Sequence, residues 1–248
     1  MKSKTIFITG GNDGIGRVTA RLFSRLGANV AIMSRRSEKN AAAMAEIESE
    51  GGKCIALTGD VSKENDIKNA IEETFRRFGS LHYAFNNAGG SAGPKSFLDL
   101  KEEEYYAVSD VQVKGTWLCM KHEIPYIIKS GGGAIVNNSS AGGHVGTVGL
   151  PLYSACKHAM IGLTRSVALE YAKQNVRINA VCPGLTATDT YREWAALNPE
   201  TIAAIESGIP MGRVASCEEV ASAVLYLCRD ATSTTGSSLM VDGGYTAQ

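Results

Sequence analysis

Tyr153 and Lys157 stand four residues apart in a stretch patterned as a helix, so their side chains share one face. A tyrosine hydroxyl ordinarily titrates at about pH 10, too high for easy proton exchange near neutrality. A neighbouring ammonium favours the tyrosinate and brings that value down, which makes the pair a candidate general acid–base group. Ser140 lies thirteen residues before Tyr153, just past a short β-branched run, and Ser139 competes with it. Strand ends in open α/β sheets are where ligands bind. A hydroxyl there can donate to a substrate oxygen and stabilise developing negative charge.

A second segment with its own chemistry is Thr9-Gly10-Gly11-Asn12-Asp13-Gly14-Ile15-Gly16. Glycines allow a tight turn and let the backbone approach a pyrophosphate. A helix start then offers free N–H groups and a positive dipole end to the anion. Such turns are common, but this one follows the first strand, opens a helix and begins a β-α-β unit, the context a dinucleotide site requires. The second strand ends in Ser34-Arg35-Arg36. A carboxylate there would accept from the ribose 2′-OH of NAD, whereas arginine suits a 2′-phosphate. With no carboxylate and two guanidinium groups for charge-assisted bonds, NADP is favoured and NAD stays possible.

These residues need a scaffold, and short β-branched runs alternate with helical patterns along the chain. The runs are 5–9, 29–34, 53–58, 81–86, 134–138, 177–181 and 238–241; helical patterns occupy 15–26, 38–49, 64–78, 101–128, 152–173 and 218–228. The alternation predicts an α/β fold, a doubly wound parallel sheet of about seven strands with helices on both faces. With no low-complexity linker and no fixed-period repeat, residues 1–248 read as one domain. Asp99-x-x-Glu102 and Ser216-x-x-Glu219 are capping-box patterns, and Pro125 is expected to kink or end the long middle helix. Residues 184–214 lack clear periodicity and are expected to form a functional loop or lid over about 185–214.

The ordered series of motifs resembles the short-chain dehydrogenase/reductase family over essentially the whole chain. Its members are Gly10-x-x-x-Gly14-x-Gly16, Asp60 in Gly59-Asp60-Val61, Asn86-Asn87-Ala88-Gly89, Ser140, Tyr153-x-x-x-Lys157, Pro183-Gly184 with Thr188, and Val241-Asp242-Gly243-Gly244. The resemblance implies a Rossmann-like, nicotinamide-dependent oxidoreductase interconverting a carbonyl and an alcohol, with Tyr153 as acid/base. It selects Ser140 over Ser139 and gives Lys157 a second role, holding the nicotinamide ribose hydroxyls. It also implies that Asp60 and Val61 contact the adenine, that Asn87, Ala88 and Gly89 line the adenosine side, and that Thr186 and Thr188 flank the carboxamide beyond Pro183 and Gly184. Asn86 either joins that side or simply pins neighbouring strands.

Two departures from the family pattern matter. Asp13 occupies a place in the glycine-rich turn where NADP-preferring members often carry Arg or Lys. Val111-Gln112-Val113-Lys114-Gly115 matches a pattern in which the family has asparagine at the second position. Gln112 either holds a water that relays a proton to Lys157, displaces it, or only packs.

The substrate pocket is expected between residues 142–149, including His144, and residues 190–211, with Tyr191, Trp194, Leu197 and Met211. Their mixed aromatic and aliphatic character suggests a partly apolar small molecule. Ala155, Ala159, Met160, Ile161, Leu163, Val167 and Leu169 exceed the stripe needed to cover one sheet face, which suggests a helix-mediated homo-oligomer. The resemblance makes that a tetramer. Two other functions stay open: reduction of an activated C=C bond, and a non-catalytic NADP-binding sensor.

Lys+Arg and Asp+Glu balance at 25 each, so charge offers no footprint for nucleic acid or an anionic membrane. The N-terminal apolar run is too short for a signal peptide or a membrane span, which predicts a cytoplasmic protein. Six cysteines without a C-x-x-C pair and four scattered histidines outline neither a disulfide frame nor a metal site.

Overall fold

The computed structural model describes residues 1–90 and 93–248. Its strands are β1 (Thr5–Thr9), β2 (Asn29–Ser34), β3 (Lys53–Thr58), β4 (Tyr83–Asn86), β5 (Gly133–Asn138), β6 (Val176–Pro183) and β7 (Ser238–Val241). The helices are α1 (Gly14–Arg25), α2 (Ser37–Ser49), α3 (Glu64–Phe78), α4 (Glu102–Ser109), α5 (Gly115–Lys129), α6 (Pro151–Tyr171), α7 (Asp189–Leu197), α8 (Pro199–Ser207) and α9 (Cys217–Leu225). All seven strands pair in parallel in the order β3-β2-β1-β4-β5-β6-β7. Parallel neighbours need crossover connections, and the helices supply them.

Every residue of β1 is buried, because both faces of the sheet are covered. Alternation divides its side chains between two cores. Ile6 and Ile8 pack with Phe23 of α1 and with Val220 and Val224 of α9. Phe7 packs on the other face with Ile67 and Ile71 of α3 and with Leu118 and Ile124 of α5. Strand order reverses between β1 and β4, and Thr9 is level with Asn86, which is level with Asn137. The carboxyl ends of the central strands therefore open at one height, around a crevice suited to a ligand.

Four local expectations change. The pattern at 101–128 is not one helix, because a turn of π-helix at Asp110–Lys114 separates α4 from α5. Pro125 does not end α5, which runs on to Lys129. Lys121 and Pro125 lie on the exposed side, so water can serve the Lys121 carbonyl that proline's missing N–H leaves free. Asp99 does not cap α4 but closes a short 3₁₀ turn, Phe97–Asp99. Lys101 takes the cap position, with its N–H donating to Glu104 Oε2 at 2.8 Å. Residues 184–214 are not a featureless loop, since α7 and α8 both lie within them. The Ser216–Glu219 capping box forms in both directions. Among the described residues no helix is long and apolar enough to cross a membrane.

Candidate active site

The turn after β1 is shaped by what its glycines leave out. Gly10 sits at φ +64°, and a Cβ on Gly16 would lie 2.2 Å from the Gly10 carbonyl oxygen. The turn therefore closes on the first residues of α1, whose early amides have no acceptor within the helix. Asp13 is the N-cap, with Oδ1 accepting from Gly14 N at 2.9 Å. Asn87 ties the end of β4 to this turn through Nδ2, which donates to the carbonyls of Thr9 at 3.1 Å and Gly10 at 3.2 Å. Thr9 Oγ1 accepts from the amides of Asn87 and Ala88, both at 3.0 Å. A narrow cradle with unused helix amides fits a dinucleotide pyrophosphate. Across it, Thr188 caps α7, and its Cγ2 lies 3.1 Å from where a Gly14 Cβ would be.

Other expected cofactor positions ring the same strand ends. Asp60 Oδ1 accepts from the amide and hydroxyl of Ser62 at 2.9 and 2.8 Å. Burial works to raise the Asp60 pKa, but the Ser62 bonds and the nearby Arg35 and Lys63 carry it below the usual value. Val61 is buried beneath Gly115. Pro183 ends β6, Gly184 N donates to Val241 O at 3.0 Å, and Thr186 Oγ1 donates to Gly184 O at 3.2 Å.

At the end of β2 the structure changes one expectation. Ser34 Oγ donates to Asn40 Oδ1 at 2.6 Å and accepts from Asn12 Nδ2, which fastens the strand end to the glycine turn. The two guanidinium groups are not both free. Arg36 Nη2 and Lys39 Nζ converge on Asp13 Oδ2 at 3.0 and 2.9 Å. Burial works to raise the Asp13 pKa, and Lys39, Arg36 and the Gly14 amide carry it down. Exposed pairs of this kind contribute about 0.2–1 kcal/mol each, weak enough to be exchanged for a stronger anion.

Residues 138–140, at the end of β5, approach α6 and its Tyr153 and Lys157. Lys157 Nζ donates to Asn138 O at 2.6 Å and lies 5.4 Å from the Tyr153 ring centre. Ser139 is 3% exposed and donates to the Lys157 carbonyl at 3.0 Å, so its hydroxyl is spent on anchoring α6. Ser140 Oγ accepts from Gly142 N at 3.1 Å and donates a long 3.4 Å bond to Pro183 O. A Cβ on Gly142 would be 3.6 Å from both Ser140 Oγ and Tyr153 Cε1, so the two side chains border one point.

The electrostatics differ from the simple pairing read from spacing. Burial raises the Tyr153 pKa above its ordinary value, and the Ser140 hydroxyl offsets only part of that. Burial also strips the Lys157 ammonium of hydration and brings its pKa to about 8, against a pull upward from Cys182 and Cys156. Both shifts favour a phenol and a weakly held proton on lysine over a tyrosinate.

Gln112 is fully buried in the π-turn, with Nε2 donating to Gly90 O at 2.7 Å. Its Oε1 is buried without a partner among the described residues. A Cβ on Gly89 would be 3.7 Å from both that oxygen and Lys157 Nζ, so both face the same point. Asn86 pins strands, with Nδ2 donating to Asn137 Oδ1 at 3.0 Å and to the buried Glu123 at 3.1 Å. His144 meets Cys182 Sγ at 3.7 Å, on the α6 side of β6. Sequence reading missed Thr9, Lys39 and the Asn138 carbonyl. Lys39 carries no motif, and a backbone carbonyl leaves no trace in residue type.

A family model described as enoyl-(acyl carrier protein) reductase matches residues 10–246. The chain is 37% identical to the A-factor type gamma-butyrolactone 1'-reductase (1S-forming) of Streptomyces virginiae, over 99% of this chain and 96% of that protein. It is 38% identical to the cyclohexanol dehydrogenase of an Acinetobacter species, with the same shares covered. The crystal structure of levodione reductase superposes with a TM-score of 0.94 at 28% identity, covering 100% of this chain and 99% of that one.

Proposed function

The chain belongs to the short-chain dehydrogenase/reductase family, and from that premise we propose that it transfers a hydride between NADP and a carbonyl or secondary alcohol, with Tyr153 as the acid–base group. The observation that carries the reading is the meeting of Ser140, Tyr153 and Lys157 at the end of β5, beside a glycine cradle suited to a dinucleotide. When bound, the nicotinamide supplies the hydride in reduction and takes it in oxidation. Gly10, Asn12, Gly14, Ile15 and Gly16 would hold its pyrophosphate side. Arg35 and Arg36 would hold the 2′-phosphate, Asp60, Val61 and Asn87 to Gly89 the adenosine, and Gly184, Thr186 and Thr188 the carboxamide end.

In the reducing direction Tyr153 Oη–H gives its proton to the carbonyl oxygen, and in the oxidising direction the deprotonated Oη takes one. Ser140 donates to the same oxygen and stabilises its charge. The raised pKa of Tyr153 keeps it a phenol at neutral pH, the form that reduction needs. Lys157 positions the ribose, and its ammonium shifts Tyr153 toward release when oxidation runs. Gln112 turns an unpaired oxygen toward the same point as Lys157, fit to hold a relay water or a ribose hydroxyl.

Relatives named for cyclohexanol and for a butyrolactone point to an alcohol or ketone in or on a small ring as substrate. Exposed apolar side chains on the flanking segments, Leu185, Trp194 and Met211, suit an apolar ring. The assembly proposed is a homotetramer through α4, α5 and α6, which expose Tyr105, Tyr106, Trp117 and Leu169. The six cysteines are free and buried, in keeping with a reducing cytoplasm.

The test is a panel of cyclic and open-chain ketones and alcohols assayed with NADPH, NADH and their oxidised forms. Turnover of cyclic ketones with kcat/KM higher for NADPH is the expected result. Because the matching family model is described as an enoyl reductase, the panel also includes conjugated enones. Saturation of the C=C bond with no ketone or alcohol turnover would overturn the reading in favour of that chemistry. No turnover of any compound would favour a nucleotide sensor.

A further inference from the structure

We propose that Asp13 is a built-in counter-anion of the 2′-phosphate subsite, holding Arg36 and Lys39 in place and narrowing the enzyme's discrimination between NADPH and NADH. The inference rests on the assignment of Arg35 and Arg36 to the 2′-phosphate above. It adds Lys39 as a ligand and gives Asp13 a part in specificity.

The geometry is specific. One carboxylate oxygen, Asp13 Oδ2, receives both Arg36 Nη2 at 3.0 Å and Lys39 Nζ at 2.9 Å. The other, Oδ1, caps α1 through Gly14 N. The carboxylate therefore bridges the glycine cradle and the first turn of α2, across the end of β2. That gap is fixed, because Ser34 bonds Asn12 on one side and Asn40 on the other. All three charged side chains stay open to a ligand, at 57% exposure for Arg36, 53% for Lys39 and 33% for Asp13.

The chemistry follows from charge. A phosphate offers three oxygens and more negative charge than a carboxylate, so it takes over the two cations from Asp13 Oδ2. The cap bond keeps Asp13 close by, where its charge opposes the incoming phosphate. A ribose bearing a plain 2′-OH meets the opposite situation. Asp13 keeps its two cations and has an oxygen to accept from the hydroxyl. The strand end lacks a carboxylate, and Asp13 brings one from the neighbouring turn.

The experiment is isothermal titration of 2′,5′-ADP and 5′-AMP into the whole protein and two variants. Asp13→Asn keeps the cap oxygen and the shape and removes the charge. It is expected to tighten 2′,5′-ADP by about tenfold or more while moving 5′-AMP by less than about twofold. Lys39→Gln, at an exposed helix position, is expected to weaken 2′,5′-ADP by about tenfold and to spare 5′-AMP. An Asp13→Asn protein that binds 2′,5′-ADP no better than the parent, or a Lys39→Gln protein that binds it as well, overturns the proposal. The parent's own ratio reports on the NADP reading separately. A parent that prefers 5′-AMP refutes that reading, and a gain in Asp13→Asn together with a loss in Lys39→Gln would still support the inference.

Discussion

Glu123 is a fully buried carboxyl inside the sheet–helix interface, and it makes the fold's stability depend on pH. Its Oε2 accepts one bond, from Asn86 Nδ2, and its Oε1 has no partner among the described residues. Burial raises its pKa to about 8, and the Asn86 bond offsets little of that. In the unfolded chain the group titrates at its ordinary value, 4.5. Between those values the folded state binds the extra proton, so the stability from this group is full below pH 4.5 and is lost as pH rises through about 8. Integrated from pH 5 to pH 8, the loss is on the order of 3–4 kcal/mol. Glu123→Gln removes the titration and keeps the acceptor for Asn86. Asn86 Oδ1, itself buried without a donor, is an acceptor within the same cluster for the new amide. The variant should therefore match the parent near pH 5 and melt higher at pH 8, by roughly 6–16 °C for a domain of this size. Thermal melts of both proteins at half-unit steps between pH 5 and 8 measure it. Parallel curves would refute the reasoning, because they would mean that Glu123 ionises in the fold without cost.

At the proposed catalytic group, Tyr153→Phe should bind cofactor normally and lose about 10²–10⁴-fold in kcat, and near-parental turnover would refute the acid–base assignment. Because the Tyr153 pKa is raised and Lys157 loses its proton at about 8, parental oxidation should peak at higher pH than reduction, which pH profiles in both directions check. Gln112→Ala should slow turnover severalfold while cofactor affinity holds, and Gln112→Asn should restore it; equal rates in all three would reduce Gln112 to packing. Leu169→Lys, at a position 79% exposed on α6, should lower the mass seen by light scattering if α6 is the assembly face, and an unchanged mass would place the interface elsewhere.

What could be read from the chain depended on whether a physical constraint left a mark on side-chain type. The central strands did so because both faces are buried, which forces continuous runs such as Thr5–Thr9. The placing of Tyr153 and Lys157 on one helix did so because a four-residue spacing on a helix is itself the geometry. The break at Asp110–Lys114 did not. A π-turn is a change in hydrogen-bond register, and Asp-Val-Gln-Val-Lys has nothing that excludes an α-helix. The helices of 184–214 were hidden for a different reason. Neither α7 nor α8 buries a residue, so no apolar stripe was needed, and Pro199 starts α8 rather than interrupting it. The cap at Lys101 was missed because its partner is a backbone N–H, which any residue but proline supplies. The Arg36–Asp13–Lys39 cluster joins residues 23 and 26 positions apart, which no local pattern connects.

The end of β5 gathers residues of distant sequence around Lys157. Taking an ammonium out of water costs several kcal/mol unless partners replace the lost hydration. Lys157 is 4% exposed, and its nearest partners are the Asn138 carbonyl and the Met160 sulfur, neither of them a counter-charge. That deficit explains why its pKa falls to about 8; a lysine paired with a carboxylate would stay charged but would spend its field on that partner. Here the field stays available to Tyr153 and to whatever lies beside Gly89. The deficit is bearable because three consecutive residues divide the work. The Asn138 carbonyl holds the ammonium, the Ser139 hydroxyl holds the carbonyl of Lys157 itself, and the Ser140 hydroxyl is left beside Tyr153. One strand end therefore fixes both ends of Lys157 relative to the Ser140 hydroxyl. The two parts of the site, thirteen residues apart in sequence, cannot drift independently.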